Sequence, residues 1–186
     1  WVAIPNMNSL CKSLSKDIEI RTNCEIAPLL IKSKNQWVLL DKAGEEQGCY
    51  DLVISTAPPL QTVRLMEEHL PSDCSIRSAS FLGCFTLMLG FDHKWDKDWI
   101  AAKIQENPIN WIAINSTKPN RNSDATSIVV HSSNTWANSH IEMQTNEVQK
   151  ILLKSFYQAT GIDFSKAKFI TTHRWRYASC EKDFES

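Results

Sequence analysis

Three observations predict an α+β chain built in two parts. Strand-like segments follow one another without intervening helices in two runs, one before residue 50 and one after residue 80, which is not the strict alternation of a parallel α/β fold. Near the end, Val148, Ile151, Leu152, Ser155, Phe156 and Ala159 recur at helical spacing, and Gly161 is placed to stop that helix. Between the two runs, Leu52, Val53 and Ile54 form a continuous apolar stretch, the pattern of a strand covered on both faces.

The elements follow in order. After "WVAIP", Met7, Leu10, Cys11 and Leu14 fall on one side of a short helix that Asn6 or Asn8 can cap. Segments 18–21, 24–33 and 36–41 then read as a small meander, closed by the turn 42–48, and residues 49–59 return as a central strand. Pro58 and Pro59 end that strand. Leu60, Val63, Met66 and Leu70 mark a helix that stops before Pro71. From Ser80 onward come four strands at 81–91, 98–105, 109–115 and 126–133, then the long helix 146–160, then a closing strand through "KFITTHRWRYA".

Bulk properties narrow the function. With 20 basic and 21 acidic residues the net charge is −1, so no general field recruits nucleic acid or an anionic membrane, and any anion site must be local. The six cysteines form no C-x-x-C pair and no close Cys/His cluster, so no metal is expected and the thiols read as those of a reduced, cytoplasmic protein. The longest apolar run, 81–91, is too short to span a bilayer as a helix. The chain opens on Trp1 within what reads as a buried strand, and a piece of a longer protein is expected.

The ordered set "VAIPNMNSL", "YDLVISTAPPLQ", "NWIAINSTKPNR", "TWANSHIE", "EVQKILL" and "HRWRYA" resembles bacterial renalase-like flavoproteins, within the FAD-dependent amine-oxidase-like group. The resemblance runs over essentially the whole chain. It implies FAD as cofactor, with residues 1–60 as the latter part of an FAD/NAD(P)-binding lobe, meander and return strand included. Residues 61–186 would be a mixed-sheet substrate lobe with a long helix. It further implies oxidation of reduced nicotinamide, as dihydro-NAD(P) isomers, with oxygen as electron acceptor. The alternatives are a flavin-containing amine oxidase, or a structural or interaction domain when this chain stands alone. A small-molecule substrate is expected, and no nucleic acid or membrane partner. Such proteins cradle the FAD pyrophosphate in a G-x-G-x-x-G turn. The glycines at 44, 48, 83, 90 and 161 include no pair two residues apart, so this chain by itself is expected to hold FAD weakly or not at all and to be inactive.

Candidate residues come from the same segments. The resemblance places Pro5, Asn6 and Met7 beside the flavin ring, and Thr56, Ala57 and Pro58 at a strand end that approaches the cofactor; the plain alternatives are a helix cap and a strand-to-helix turn. In "HRWRY", strand alternation puts His173, Trp175 and Tyr177 on one face and Arg174 and Arg176 on the other, so the segment is either an ordinary edge strand or the border of a substrate cleft. Trp111, Trp136 and Trp175 are candidate walls for a flat substrate, or core residues. Arg174 or Arg176 is the candidate local cation. Arg121 in "KPNR" is either a contact for an anionic group or simply solvated. No catalytic residue is assigned: His131 and His173 invite a general-base role, yet hydride transfer from a dihydropyridine needs none.

Overall fold

The computed structural model describes residues 1–32, 36–95, 97–105, 108–122 and 124–181. They form two compact units: residues 1–16 with 81–180, and residues 17–80 with Glu181. The α+β class is as expected. The boundary expected at residue 60 lies inside a helix of the second unit.

In the second unit, β1 (Leu30–Lys32), β2 (Gln36–Leu40) and β3 (Glu46–Tyr50) pair antiparallel in chain order; β1 and β2 lie within the expected meander segments 24–33 and 36–41, whereas β3 falls on the expected turn and the start of the expected return strand. The turn expected at 42–48 is cut short because Asp41 folds it tightly: its Oδ1 accepts from the amides of Ala43 and Glu45, and β3 starts at Glu46. Segment 18–21 makes no ladder. Nor does 52–56, where a central strand was expected; Leu52 and Ile54 are 74% and 77% exposed. Two facts hold the end of that segment in place: Ser55 Oγ lies 2.7 Å from Thr62 Oγ1, and Thr62 Oγ1 donates to the Ala57 carbonyl. Pro59 then opens α2 (Pro59–Met66), using the first helical position, where a missing N–H costs nothing. A 3₁₀ turn, Glu67–His69, replaces the last turn expected before Pro71.

The first unit begins with α1 (Ser9–Leu14), whose cap position is Asn8, though its side chain makes no capping bond. The apolar side of α1 is open: Met7, Leu10 and Leu14 are all exposed. The rest of the unit is a five-stranded sheet in the order β5-β6-β7-β4-β8, made from β4 (Phe81–Phe91), β5 (Ala101–Lys103), β6 (Ile109–Ile114), β7 (Thr126–Ser132) and β8 (Phe169–Cys180). Every ladder is antiparallel, where a mixed sheet was expected. The reason is the return path. Two helices, α3 (Asn134–Ser139) and α4 (Thr145–Thr160), carry the chain from β7 across the sheet, so that β8 runs against β4.

Those helices cover one face. Phe85, Leu87 and Leu89 of β4, Ile112 of β6 and Ile128 and Val130 of β7 meet Val148, Leu152 and Phe156 of α4 in one buried cluster. Gly161 ends α4 at φ 68°, the left-handed conformation that costs glycine little. α3 was not foreseen. It is capped by Ser133, whose Oγ accepts from the Trp136 amide, and its six residues are too few to show a helical period.

Candidate functional site

Because side chains alternate, the sheet's second face carries the residues that the helices leave uncovered. Register fixes them in rows. Lys103 pairs with Trp111, Trp111 with His131, His131 with Thr86 and Thr86 with His173, one row across all five strands and about 19 Å wide at the usual strand spacing. The next row is Ala101, Ala113, Val129, Met88 and Thr171. A third holds Ser127, Gly90 and Phe169.

The first row is an aromatic and imidazole floor. Trp175 lies over it: its Nε1–H donates to Thr86 Oγ1 at 3.0 Å, and its ring meets His173 edge-on at 4.3 Å between centroids. Trp111 and Trp175 stay 41% and 53% exposed, which leaves indole surface for a ligand to cover. Burial, with a smaller push from the Lys118 charge, holds the His131 imidazole below its ordinary range, so it is neutral at pH 7. Lys103 and Lys118 therefore supply positive charge at this floor. None of the face's strand positions, all among the described residues, carries a carboxylate.

The expected site residues divide by face. His173, Trp175 and Trp111 are on the open side. Arg174 and Arg176 are not: Arg174 Nη2 donates to the Met143 carbonyl at 2.5 Å with its guanidinium 5.7 Å from the Phe85 ring centre, and Arg176 grips Glu142 through both carboxylate oxygens at 2.5 and 2.9 Å. The hydrogen bond from Arg176 holds the Glu142 carboxyl below its usual range. Trp136 is also on the helix side, edge-on to Phe85 and stacked on His140 at 4.3 Å. Tyr177 lies past a register shift in the β4/β8 ladder, edge-on to Phe81.

That shift has a support that sequence reasoning missed. Asn134 Nδ2 donates to the Gly83 carbonyl and Asn138 Oδ1 accepts from the Gly83 amide, so one turn of α3 stands in for the ladder partner. Gly83 leaves room for it: a Cβ there would sit 2.6 Å from Ile141 Cδ1. Thr86 was missed too, since only the register shows that it faces both histidines.

Of the expected cofactor residues, Pro5, Asn6 and Met7 are exposed in the first unit, where the Asn6 carbonyl accepts from the Ser9 amide and Ser9 Oγ from the Asn6 amide. Thr56, Ala57 and Pro58 belong to the second unit. There they form the end of the extended segment before α2. Among the described residues no group of three or more His, Cys, Asp or Glu is placed to hold a metal ion, and no helix is long and apolar enough to cross a membrane.

No family model matches the chain. Its fold, however, recurs in solved structures. It aligns at a TM-score of 0.73 and 16% identity with a protein from Exiguobacterium sp. 255-15 assigned as a protoporphyrinogen oxidase, over 94% of this chain and 40% of that one. With putrescine oxidase bound to putrescine the TM-score is 0.68 at 14% identity, over 88% and 37%. With cyclohexylamine oxidase from Brevibacterium oxydans IH-35A it is 0.65 at 9%, over 91% and 38%. The chain has part of the flavin amine oxidase fold. It spans about two fifths of the length of these neighbours.

Proposed function

We propose that this chain is part of an FAD-dependent oxidoreductase, with the five-stranded sheet as its substrate lobe and the meander as part of its cofactor lobe. The substrate class we propose is reduced nicotinamide, as the resemblance to renalase-like proteins implies. The observation that carries the reading is the open face: exposed indoles beside a neutral imidazole, with lysines near and no carboxylate at any strand position. Indole faces stack on planar rings, and nearby cations favour a substrate that carries negative charge.

The chain's own residues do not fit the whole cofactor. No glycine turn for a pyrophosphate occurs among its residues, so 5–7 and 56–58 are proposed only to border the flavin. The proposal therefore includes weak or absent FAD binding by this chain alone; stoichiometric yellow flavin in the purified chain would overturn that part. Bound flavin would accept the substrate's hydride and pass electrons to oxygen. The role of Trp111, Trp175 and Thr86 is to hold the ring flat. His131, neutral, supplies a polar edge without adding charge.

Amine oxidation is the second reading, favoured by the indoles, which also attract ammonium groups, and by the amine oxidases among the structures that share the fold. Lys103 in the same row opposes it. Anaerobic mixing of the flavin-loaded full-length protein with each class separates the two: the proposal expects rapid bleaching by dihydronicotinamides. Bleaching by simple amines alone would replace it with the second reading.

A further inference from the structure

The third row of the open face ends at a cavity of about 370 Å³ lined by Gly90, Ser127, Phe169, Asn115, Lys168 and Arg121, among others. Arg121 is the unusual member. Its Nη2 donates to the Ala3 carbonyl at 3.2 Å, while Nη1 is closed to water and has no hydrogen-bond partner. A guanidinium offers a planar fork that matches an oxyanion through two parallel bonds, and here one arm of the fork is unused. Turning that arm toward the cavity that Arg121 lines gives it an acceptor if an anion is there.

The surroundings fit an anion. Lys168 adds a second cation, and Gly90, with no side chain, keeps the floor low; a Cβ there would crowd Phe169 Cβ at 3.2 Å. One carboxylate, Asp92, also lines the cavity, but it is engaged at 3.2 Å by His93 Nδ1 and at 3.5 Å by Lys168 Nζ. Asn115 and Ser127 supply neutral polar groups, their side chains 3.5 Å apart.

We infer that Arg121, with Lys168, forms a subsite for a phosphate group of the ligand whose ring lies on Trp111 and Trp175. This rests on the reading of the open face as the substrate face. Ser127 stands four positions before His131 in β7, about 13 Å along the strand, a span that a ring, a sugar and a phosphate can bridge with a long cationic side chain reaching toward them. The loop cation and the aromatic floor thus read one extended molecule.

Binding tests this without turnover. Titrate the purified protein, without oxygen, with reduced nicotinamide mononucleotide, with N-methyl dihydronicotinamide, which has the ring and no phosphate, and with inorganic phosphate. The mononucleotide is expected to bind about tenfold tighter than the ring compound, the scale of a charge-assisted hydrogen bond. Arg121→Gln should abolish that difference and the phosphate binding while leaving the ring compound unchanged, and Arg121→Lys should restore part of both. Should Arg121→Gln fail to fold, Lys168→Gln and Arg121→Lys carry the same comparison, each with a partial loss. Equal binding of the two nicotinamides by the unaltered protein, or a mononucleotide affinity untouched by these variants, overturns the subsite. Arg121-dependent phosphate binding without any ring binding keeps the subsite and discards the nicotinamide reading.

Discussion

The two faces of the five-stranded sheet are made by the same strands, residue by residue in alternation, and they differ in almost everything else. On the helix side β4 presents Phe85, Leu87 and Leu89, all essentially inaccessible. On the other it presents Thr86, Met88 and Gly90, beneath and beside indoles that remain exposed. The helix face is packed, and its arginines are mostly engaged within the fold: Arg174 Nη2 on the Met143 carbonyl, with its buried Nε left without a partner, and Arg176 on Glu142. The open face keeps unused surface and unused polar groups. A face that folding does not fill is where binding can be selected, and this contrast, more than any one residue, separates scaffold from site.

The contrast breaks most easily on the helix side. Phe156→Ala should cost about 3–5 kcal/mol of stability, as truncation of a fully buried aromatic does, read as an earlier denaturant midpoint with ligand binding per folded molecule unchanged. Gly83→Ala comes next. Its methyl would force Ile141 and the β4/β8 shift apart, for about 1–3 kcal/mol, and because the Trp175 carbonyl is 3.3 Å away it should also disturb the open face. That variant joins the two faces, so a loss of stability with intact indole environments would show that they are less coupled than the geometry implies.

On the open side the expected effects are smaller in stability and larger in binding. Trp111→Ala should weaken a planar ligand by up to about tenfold, the scale of one aromatic contact, and leave the melting temperature nearly unchanged. His131 gives a pH signature. Its folded imidazole sits below its ordinary range, so the unfolded chain takes up the proton first; the stability this contributes is present above about pH 6.5 and is lost as the pH falls below it. His131→Gln should flatten that part of the pH profile. The smallest effect belongs to Arg176→Ala, which removes an exposed ion pair and should move neither stability nor binding measurably.

Much of the fold was legible because it is local. The long helix, its glycine stop and the 81–91 strand follow from period and breakers. What the sequence did not reveal is long-range: that the sheet is antiparallel throughout, and which residues share a row. Alternation in "HRWRY" separated the arginines from Trp175, but only the β4 register shows that Trp175 sides with Thr86 and His131, and Arg174 with Phe85. Segment 52–56 reads as a buried strand because Leu52, Val53 and Ile54 are all apolar; among the described residues no strand pairs with it, and Leu52 and Ile54 stay exposed. Trp136 looked like Trp111 in sequence. It differs because α3 delivers it to the covered face.

Those tryptophans supply the most direct measurement. In a spectrum that resolves the indole N–H resonances, titrate the protein with reduced nicotinamide mononucleotide without oxygen and follow Trp111, Trp175 and Trp136. If the open face binds the ring, Trp111 and Trp175 shift together with one dissociation constant, the Trp175 N–H reporting on its bond to Thr86, while Trp136 on its His140 stack stays still. Movement of Trp136 with Trp111 and Trp175 unchanged would place the ligand on the helix side and contradict the division of the sheet into scaffold and site.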